Sequence, residues 1–196
     1  MPIRGVIFDL DETLVSSDLD YDGMRADLGL GPDQLILETV TDMPPGPQQD
    51  AGFAVIDRHE REGALRSTMI PGAMEFLDQL TAAHIRTGVL TRNSRAATDT
   101  VFANLGLSLS PALTREDAAP KPDPEGLLRI CDEWQLPVTD VLFFGDFVFD
   151  LLAAANAGMR SVLYCPGRRP DFAEQADFVL TDYANAISII EAASAG

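Results

Sequence analysis

The 196-residue sequence lacks an apolar run of 18 or more residues, the length at which a transmembrane helix is predicted. It also lacks the apolar stretch of a signal peptide near its start, because Met1-Pro2-Ile3-Arg4 leads directly into a predicted strand. We therefore expect a cytoplasmic protein that has no membrane partner.

Cysteine is scarce. Of the two cysteines, Cys131 lies in a predicted helix and Cys165 follows a predicted strand. Two cysteines do not form a disulfide framework, which agrees with a reducing cytoplasm. We interpret both as small buried hydrophobic residues.

Basic residues are also scarce: the sequence has 14 lysines and arginines against 31 aspartates and glutamates, and its net charge is -17. Such a charge repels nucleic acids and anionic membranes at long range, so we predict neither as a partner. It would equally repel a phosphate ester. A site for such a substrate would need a metal ion and a few local basic groups that reverse the field.

The most informative segment of the chain is the apolar run 6–8, Val-Ile-Phe, with the acidic residues Asp9 and Asp11 directly after it. An apolar run rich in β-branched residues that ends in charge predicts a buried strand with carboxylates at its C-terminal edge. Side chains two residues apart in an extended chain point the same way, so both carboxylates would face one site. Two adjacent carboxylates repel each other unless a cation lies between them. The pair therefore predicts a metal site.

Three later segments offer groups that could complete this site. Thr91 ends a second apolar run, Lys121 lies between two prolines, and Asp146 ends a third apolar run, with Asp150 about one helical turn later. The carboxyl edge of an open α/β sheet is where such side chains meet. The sequence thus supplies an acid, a hydroxyl, an ammonium and a further acid, in that order.

Predicted strands alternate with predicted helices over the remainder of the chain, which indicates a parallel sheet covered on both faces. The predicted helices start near residues 71, 95, 123 and 183, and the predicted strands after the first are Arg86–Leu90, Leu109–Leu113, Val141–Phe144, Ser161–Tyr164 and a short edge strand, Asp177–Leu180.

The sequence pattern predicts a helical insertion at residues 16–69. Residues 1–15 and 70–196 are then predicted to form the α/β core. Three helices are predicted in the insertion, over Asp20–Leu28, after Pro32 and over Gln48–Ser67. In the third helix, apolar residues define one side, and Glu60 is assigned to the opposite, charged side.

In this order and context, the four segments resemble the motifs of the haloacid dehalogenase-like hydrolases, whose members are mostly magnesium-dependent phosphatases. The resemblance covers residues 9 to 150 and implies a Rossmann-like, doubly wound parallel sheet with strand order 5-4-1-2-3. The helical insertion looks like a small version of the cap found in the phosphoglycolate phosphatase and β-phosphoglucomutase branch. The implied function is hydrolysis of a small phosphorylated metabolite by a monomer or homodimer.

The resemblance also implies a role for each matching residue. Asp9 would be the nucleophile that forms an aspartyl-phosphate, and Asp11 would be the general acid and base. The implied ligands of Mg²⁺ are Asp9, the backbone carbonyl of Asp11 and Asp146, while Asp150 would hold the surroundings of the metal. The substrate-binding residues would be Thr91, Arg92, Asn93 and Lys121, with Thr91 and Lys121 also counted as catalytic.

Two positions depart from the family pattern. Glu12 stands where glycine is common, and Phe147 stands where a small polar residue is usual. Glutamate also occurs at the first position, so we expect little effect there. Phe147 has no side-chain group that could hydrogen-bond a ligand or a metal-bound water. Four arginines of the insertion are candidates for contacting a second anionic group of the substrate, although the sequence favours a solvated position for each of them: Arg25, Arg58, Arg61 and Arg66.

Other functions remain open at this point. A dehalogenase of the same family would share Asp9, but those enzymes lack the second acid and need no magnesium, so Asp11 disfavours this alternative. A phosphomutase would keep every core residue and differ only in the cap. A phosphorylatable receiver or binding module also combines acids, a threonine and a lysine around magnesium. Its phosphorylated aspartate should end a middle strand before the threonine, and no such residue is found between Asp11 and Thr91.

Overall fold

Residues 2–195 are described by a computed structural model, in which the chain forms two units. The first unit comprises the chain up to Ser16, Thr68–Arg92 and the chain from Ser108 onward. The second unit comprises Ser17–Ser67 and Asn93–Leu107.

The first unit contains a parallel sheet of six strands in the order β5-β4-β1-β6-β7-β8. This arrangement confirms the predicted α/β fold class. The five strands of the implied order are present in that order, and a sixth is added beside β7. The strands are β1 (Gly5–Phe8), β4 (Arg86–Leu90), β5 (Ala112–Leu113), β6 (Val141–Gly145), β7 (Arg160–Tyr164) and β8 (Phe178–Leu180).

Helices pack on both faces of this sheet. They are α4 (Ala73–Ala82), α6 (Glu125–Trp134), α7 (Val148–Ala157) and α8 (Ala186–Ala195), with short 3-10 turns at Val138–Asp140, Asp171–Gln175 and Tyr183–Asn185. Within residues 2–195, no helix combines the length and the apolar character needed to cross a bilayer.

The central strand β1 is buried on both faces because its side chains alternate between two cores. Ile7 belongs to a cluster with Leu127 and Phe143, beneath α6 and α7. Phe8 points to the opposite face and meets the ring of Phe144, with centroids 5.2 Å apart, and the ring of Phe76 from α4, at 6.1 Å. The start of the candidate site is therefore anchored from both sides of the sheet.

The second unit is helical and has a small core of its own. It contains α1 (Tyr21–Leu28), α2 (Ile36–Thr41), α3 (Pro47–Arg66) and α5 (Arg95–Leu105). Met24, Val40 and Ile56 form the buried centre of the first three helices. The caps of α1 follow the sequence: Asp20 accepts a hydrogen bond from the Gly23 amide, and the helix ends at Gly29.

Two local expectations were wrong. A pair of two-residue antiparallel strands, β2 (Val15–Ser16) and β3 (Thr68–Met69), flanks the inserted segment, where no strand was predicted. The predicted strand Leu109–Leu113 is reduced to its last two residues. Strands this short carry no readable periodicity.

Glu60 was also misassigned to the charged side of α3. It is buried, and its Oε2 accepts a hydrogen bond of 3.0 Å from the backbone amide of Ser94, the N-cap residue of α5. Its position agrees with the helical spacing, because Glu60 lies four residues from both Ile56 and Ala64 on the buried stripe. An acidic side chain at a helix N-terminus also complements the helix dipole.

Replacement Glu60→Ala should therefore lower the free energy of unfolding by about 1–3 kcal/mol, because the Ser94 amide loses its acceptor. Glu60→Gln keeps an acceptor oxygen and should cost clearly less. Urea denaturation followed by circular dichroism measures both. Glu62→Ala is the matched control on the exposed side of the same helix and should change stability by less than about 0.5 kcal/mol. Equal losses for Glu60→Ala and Glu62→Ala would contradict this role of Glu60.

Candidate active site

The acidic segment after β1 is a tight turn. The backbone amides of Leu14 and Val15 both donate to the carbonyl of Leu10, at 2.9 and 3.0 Å. Glu12, inside the turn, has a φ of +53°, in the left-handed region that favours glycine. This conformation explains why the family pattern has glycine here.

The turn is held in place by a distant aromatic residue. The Tyr183 hydroxyl donates a 2.8 Å hydrogen bond to the backbone carbonyl of Thr13, and both residues are buried. The Thr13 hydroxyl in turn donates to Asp146 Oδ1 at 3.4 Å. Thr13 thus connects the turn after β1 with the end of β6.

Lys121 lies between two carboxylates. Its Nζ is 2.7 Å from Asp9 Oδ1 and 2.6 Å from Asp150 Oδ1, and only 3% of the side chain is exposed. Burial opposes the charge of the ammonium, but Asp150 and Asp9 outweigh it, so the pKa of Lys121 is raised and the group stays charged. Lys121 is also the only lysine in the sequence.

Asp150 reaches this lysine because of a glycine. A Cβ atom at Gly145 would lie 2.3 Å from the Cβ of Asp150, a distance that no side chain tolerates. The second oxygen of Asp150, Oδ2, accepts a 2.9 Å hydrogen bond from the backbone amide of Phe147 at the start of α7. One buried carboxylate therefore fixes both the ammonium and the helix start.

Asp9, Asp146 and Asp150 form an acidic cluster in which each offers an oxygen within 4.8 Å of the others. Burial raises the pKa of Asp9 to about 7, an effect that Lys121 opposes and the neighbouring carboxylates reinforce. Burial, together with Asp9 and Asp150, raises the pKa of Asp146 to about 8. A cation at this cluster would reverse both shifts, because it stabilises the ionised carboxylates. The donor set, three carboxylates, fits a hard divalent ion such as Mg²⁺.

The structure thus brings four of the predicted residues together: Asp9, Lys121, Asp146 and Asp150. The carboxylate of Asp11 is not a member of this acidic cluster. The expected contact of Asp11 with the metal is through its backbone carbonyl. Asp11 lies two residues after Asp9, and, in addition to burial, its negative charge contributes to raising the pKa of Asp9.

Thr91 and Arg92 lie at the same edge of the sheet. Thr91 directly follows β4, and its amide donates to the Leu113 carbonyl at 2.9 Å. Its side chain is buried. The Arg92 guanidinium lies over the ring of Phe149, 5.0 Å from its centroid. Asn93 is buried and is the first residue of the α5 segment in the second unit.

Two residues that contribute to the site were missed. Thr13 is the last polar residue of the turn motif, and its place in the motif was the only signal for a role. Tyr183 is 170 residues away from Thr13 and gave no local signal.

Two of the insertion arginines are paired inside the second unit. Arg58 forms an ion pair with Asp27, which also contacts His59, and Arg25 lies 3.5 Å from Asp22. The remaining two arginines of the insertion, Arg61 and Arg66, are exposed.

Comparison with known proteins places this geometry in context. A family model described as haloacid dehalogenase-like hydrolase matches residues 3–158. A haloacid dehalogenase-like hydrolase domain-containing protein of Arabidopsis thaliana is 33% identical over 165 residues, which cover 79% of this chain and 67% of the relative. An N-acetylmuramic acid 6-phosphate phosphatase of Pseudomonas putida is 28% identical over 183 residues, which cover 82% of each chain.

The fold is shared with solved structures as well. A crystal structure from Lactobacillus plantarum aligns with a TM-score of 0.80 at 19% identity and covers 96% of this chain and 100% of that one. At this level of identity the alignment supports the fold alone.

Proposed function

The chain belongs to the haloacid dehalogenase-like hydrolase family, and from this premise we propose that it is a Mg²⁺-dependent phosphatase of small phosphate monoesters. The observation that carries the proposal is the position of Lys121 between Asp9 and Asp150, with Asp146 beside them. A carboxylate beside a buried ammonium supports the proposal, because phosphoryl transfer requires a nucleophile and positive charge near the phosphoryl oxygens.

Asp9 and Asp146 are the residues we propose as direct ligands of Mg²⁺, with Asp150 beside them in the acidic cluster. Bound Mg²⁺ would supply positive charge to the phosphoryl oxygens and relieve the repulsion among the carboxylates. Because Asp150 bonds to Lys121 and to the Phe147 amide, we assign it mainly to holding the site together.

In the first step, a carboxylate oxygen of Asp9 attacks the phosphorus atom. An O–P bond to Asp9 forms while the bond between phosphorus and the ester oxygen breaks, and Asp11 donates a proton to the departing alcohol. In the second step, a water oxygen attacks the same phosphorus, Asp11 takes the proton, and the bond to Asp9 breaks. The sum is one phosphate ester and one water converted to one alcohol and one inorganic phosphate.

The remaining predicted residues would bind the substrate. We assign Thr91 and Lys121 to the phosphoryl oxygens, because a hydroxyl and an ammonium both donate to them. Arg92 and Asn93 follow Thr91 in the chain and are proposed to extend this set. The protein has a net charge of -17, which repels an anionic substrate, and these hydrogen-bond donors would offset that repulsion at the site.

We further propose that residues 16–69 act as a cap that excludes water during the reaction. Support comes from the second unit, in which Ser17–Ser67 folds with a core of its own. The antiparallel strands β2 and β3 pair where the chain leaves and re-enters the first unit.

Removal of Mg²⁺ tests the proposal directly. Phosphate release from an aryl phosphate should require Mg²⁺, stop with EDTA and return when Mg²⁺ is added in excess. Mg²⁺ should also raise the melting temperature, because a ligand at 100 times its Kd adds about 2.7 kcal/mol to the stability. Differential scanning calorimetry measures this shift without substrate.

Asp146→Asn should strongly reduce the thermal shift, because it removes one ionised ligand from the cluster. The matched control is Asp78→Asn on the exposed side of α4, which should keep the shift and the activity. Phosphate release that is insensitive to EDTA would remove the metal-dependent proposal.

A further inference from the structure

Three aromatic residues that follow β6 and β7 are not used by the proposed chemistry. Phe147, at the start of α7, meets Phe149 with ring centroids 5.3 Å apart and Phe172 with centroids 5.9 Å apart. Both contacts are edge-to-face, at 88° and 76°. We call these three residues the aromatic row. Phe147 is the most accessible of them, with 46% of its surface exposed.

The aromatic row crosses the edge of the sheet at which Asp9 lies. Arg92 follows β4 and stacks over Phe149, which follows β6. These strands are the two neighbours of β1 in the sheet, so the contact connects segments that follow strands on either side of β1. Phe172 extends the row to the loop after β7. The row therefore follows the ends of β6 and β7, and Arg92 connects it to the end of β4.

Phe147 is also fixed to the acidic cluster through its own backbone. It is the chain neighbour of Asp146, and its amide donates to Asp150, the carboxylate that holds Lys121. Consecutive Cα atoms lie about 3.8 Å apart. The backbone of Phe147 therefore lies directly beside the acidic cluster.

A single exposed phenylalanine needs no functional explanation. This one differs in two respects. Its backbone is held by a buried carboxylate of the proposed site, and its ring is positioned by two further aromatic rings. A serine or threonine here would offer a hydroxyl to the site, whereas phenylalanine offers an apolar surface and no donor.

From this placement, and on the basis of the proposed function, we infer that Phe147 is a specificity-determining residue that contacts a ring in the leaving group. The substrate class would be phosphate monoesters of ring-bearing alcohols, and acyclic esters would be poorer substrates. Rings stack or pack edge-to-face on phenylalanine, a geometry the aromatic row already uses.

Benzyl phosphate and propyl phosphate test this inference as a pair. Both are monoesters of primary alcohols with the same phosphate charge, so they differ mainly in the ring. With wild-type protein and Mg²⁺, kcat/KM should favour benzyl phosphate by about tenfold, and the preference should lie mostly in KM. Phe147→Ser should reduce this ratio to near one, whereas Phe147→Tyr, which keeps the ring, should retain it.

Leu152→Ser is the matched control, because it removes another exposed apolar side chain from the same helix and should leave the ratio unchanged. Calorimetric binding of benzylphosphonate, which cannot be hydrolysed at an ester bond, gives a second readout and should weaken in Phe147→Ser. A wild-type protein that hydrolyses both esters equally, or an equal ratio in Phe147→Ser and wild type, overturns the inference alone. No release from either ester by the wild type would instead overturn the proposed function.

Discussion

Replacement Asp9→Asn is expected to lower kcat for phosphate release by about 10⁴-fold or more, the scale at which loss of a nucleophile acts in covalent catalysis. The amide has nearly the shape of the carboxylate but is a far poorer nucleophile. It also removes one negative charge from a crowded buried cluster, while Lys121 keeps its contact with Asp150. We therefore expect the variant to fold normally, which a melting curve checks.

The control for this variant is Asp78→Asn, the same chemical change at an exposed position of α4. It should leave kcat and KM within about twofold of the wild-type values, because surface substitutions far from the site usually have only small effects. A second readout concerns the covalent step. Rapid quenching with a radiolabelled ester should trap label on the wild-type protein and none on Asp9→Asn. A variant that keeps a substantial fraction of the wild-type rate, or still takes up label, would show that the nucleophile is another group.

The placement of most site residues could be predicted because each follows an apolar strand. Asp9, Thr91 and Asp146 end three neighbouring parallel strands, and the carboxyl ends of such strands share one edge of the sheet. The order of those strands came from the family resemblance, because alternating strands and helices are compatible with several orders. Lys121 lies in a loop, so its place beside Asp9 also depended on the resemblance.

Other features could not be predicted, because they depend on contacts between residues that are far apart in the sequence. The hydrogen bond from Tyr183 to Thr13 joins residues 170 positions apart. The two residues of β2 pair with two residues of β3, a length below any detectable period. Glu60 is different, since its spacing from Ile56 and Ala64 placed it on the buried stripe and only its charge argued otherwise. Buried acids are rare, but one that accepts a helix N-terminal amide is satisfied.

Lys121→Met should be strongly destabilising as well as inactive. The ammonium is buried between Asp9 and Asp150, and its removal leaves both carboxylates without their cation. Removing one partner of a buried ion pair in this way lowers the free energy of unfolding by about 3–5 kcal/mol. This loss is much larger than the difference in stability between an intact buried ion pair and well-packed apolar residues in its place. Urea denaturation without Mg²⁺ measures the loss. Arg168→Met is the control, because it removes an exposed positive charge from the same unit and should cost less than about 0.5 kcal/mol.

A double variant distinguishes the loss of the ion pair from a simple packing defect as the cause of the lower stability. If uncompensated Asp150 causes the loss, then Asp150→Asn added to Lys121→Met should recover part of the stability, although Asp150→Asn alone is destabilising. If lost packing around the lysine stem causes it, the two losses should add. Because Lys121 is the only lysine in the chain, ¹⁵N-lysine labelling also gives a single side-chain signal whose disappearance verifies the variant.

Mg²⁺ should partly compensate for Lys121→Met, because a divalent cation at Asp9 and Asp146 would replace some of the positive charge that the substitution removes. The variant should therefore gain more stability from saturating Mg²⁺ than the wild type gains, while phosphate release stays at least about 10³-fold lower because the ammonium that binds the phosphoryl group is missing. An Mg²⁺ response equal in both proteins, together with a loss below about 1 kcal/mol, would show that the lysine and the acidic cluster do not form one electrostatic unit.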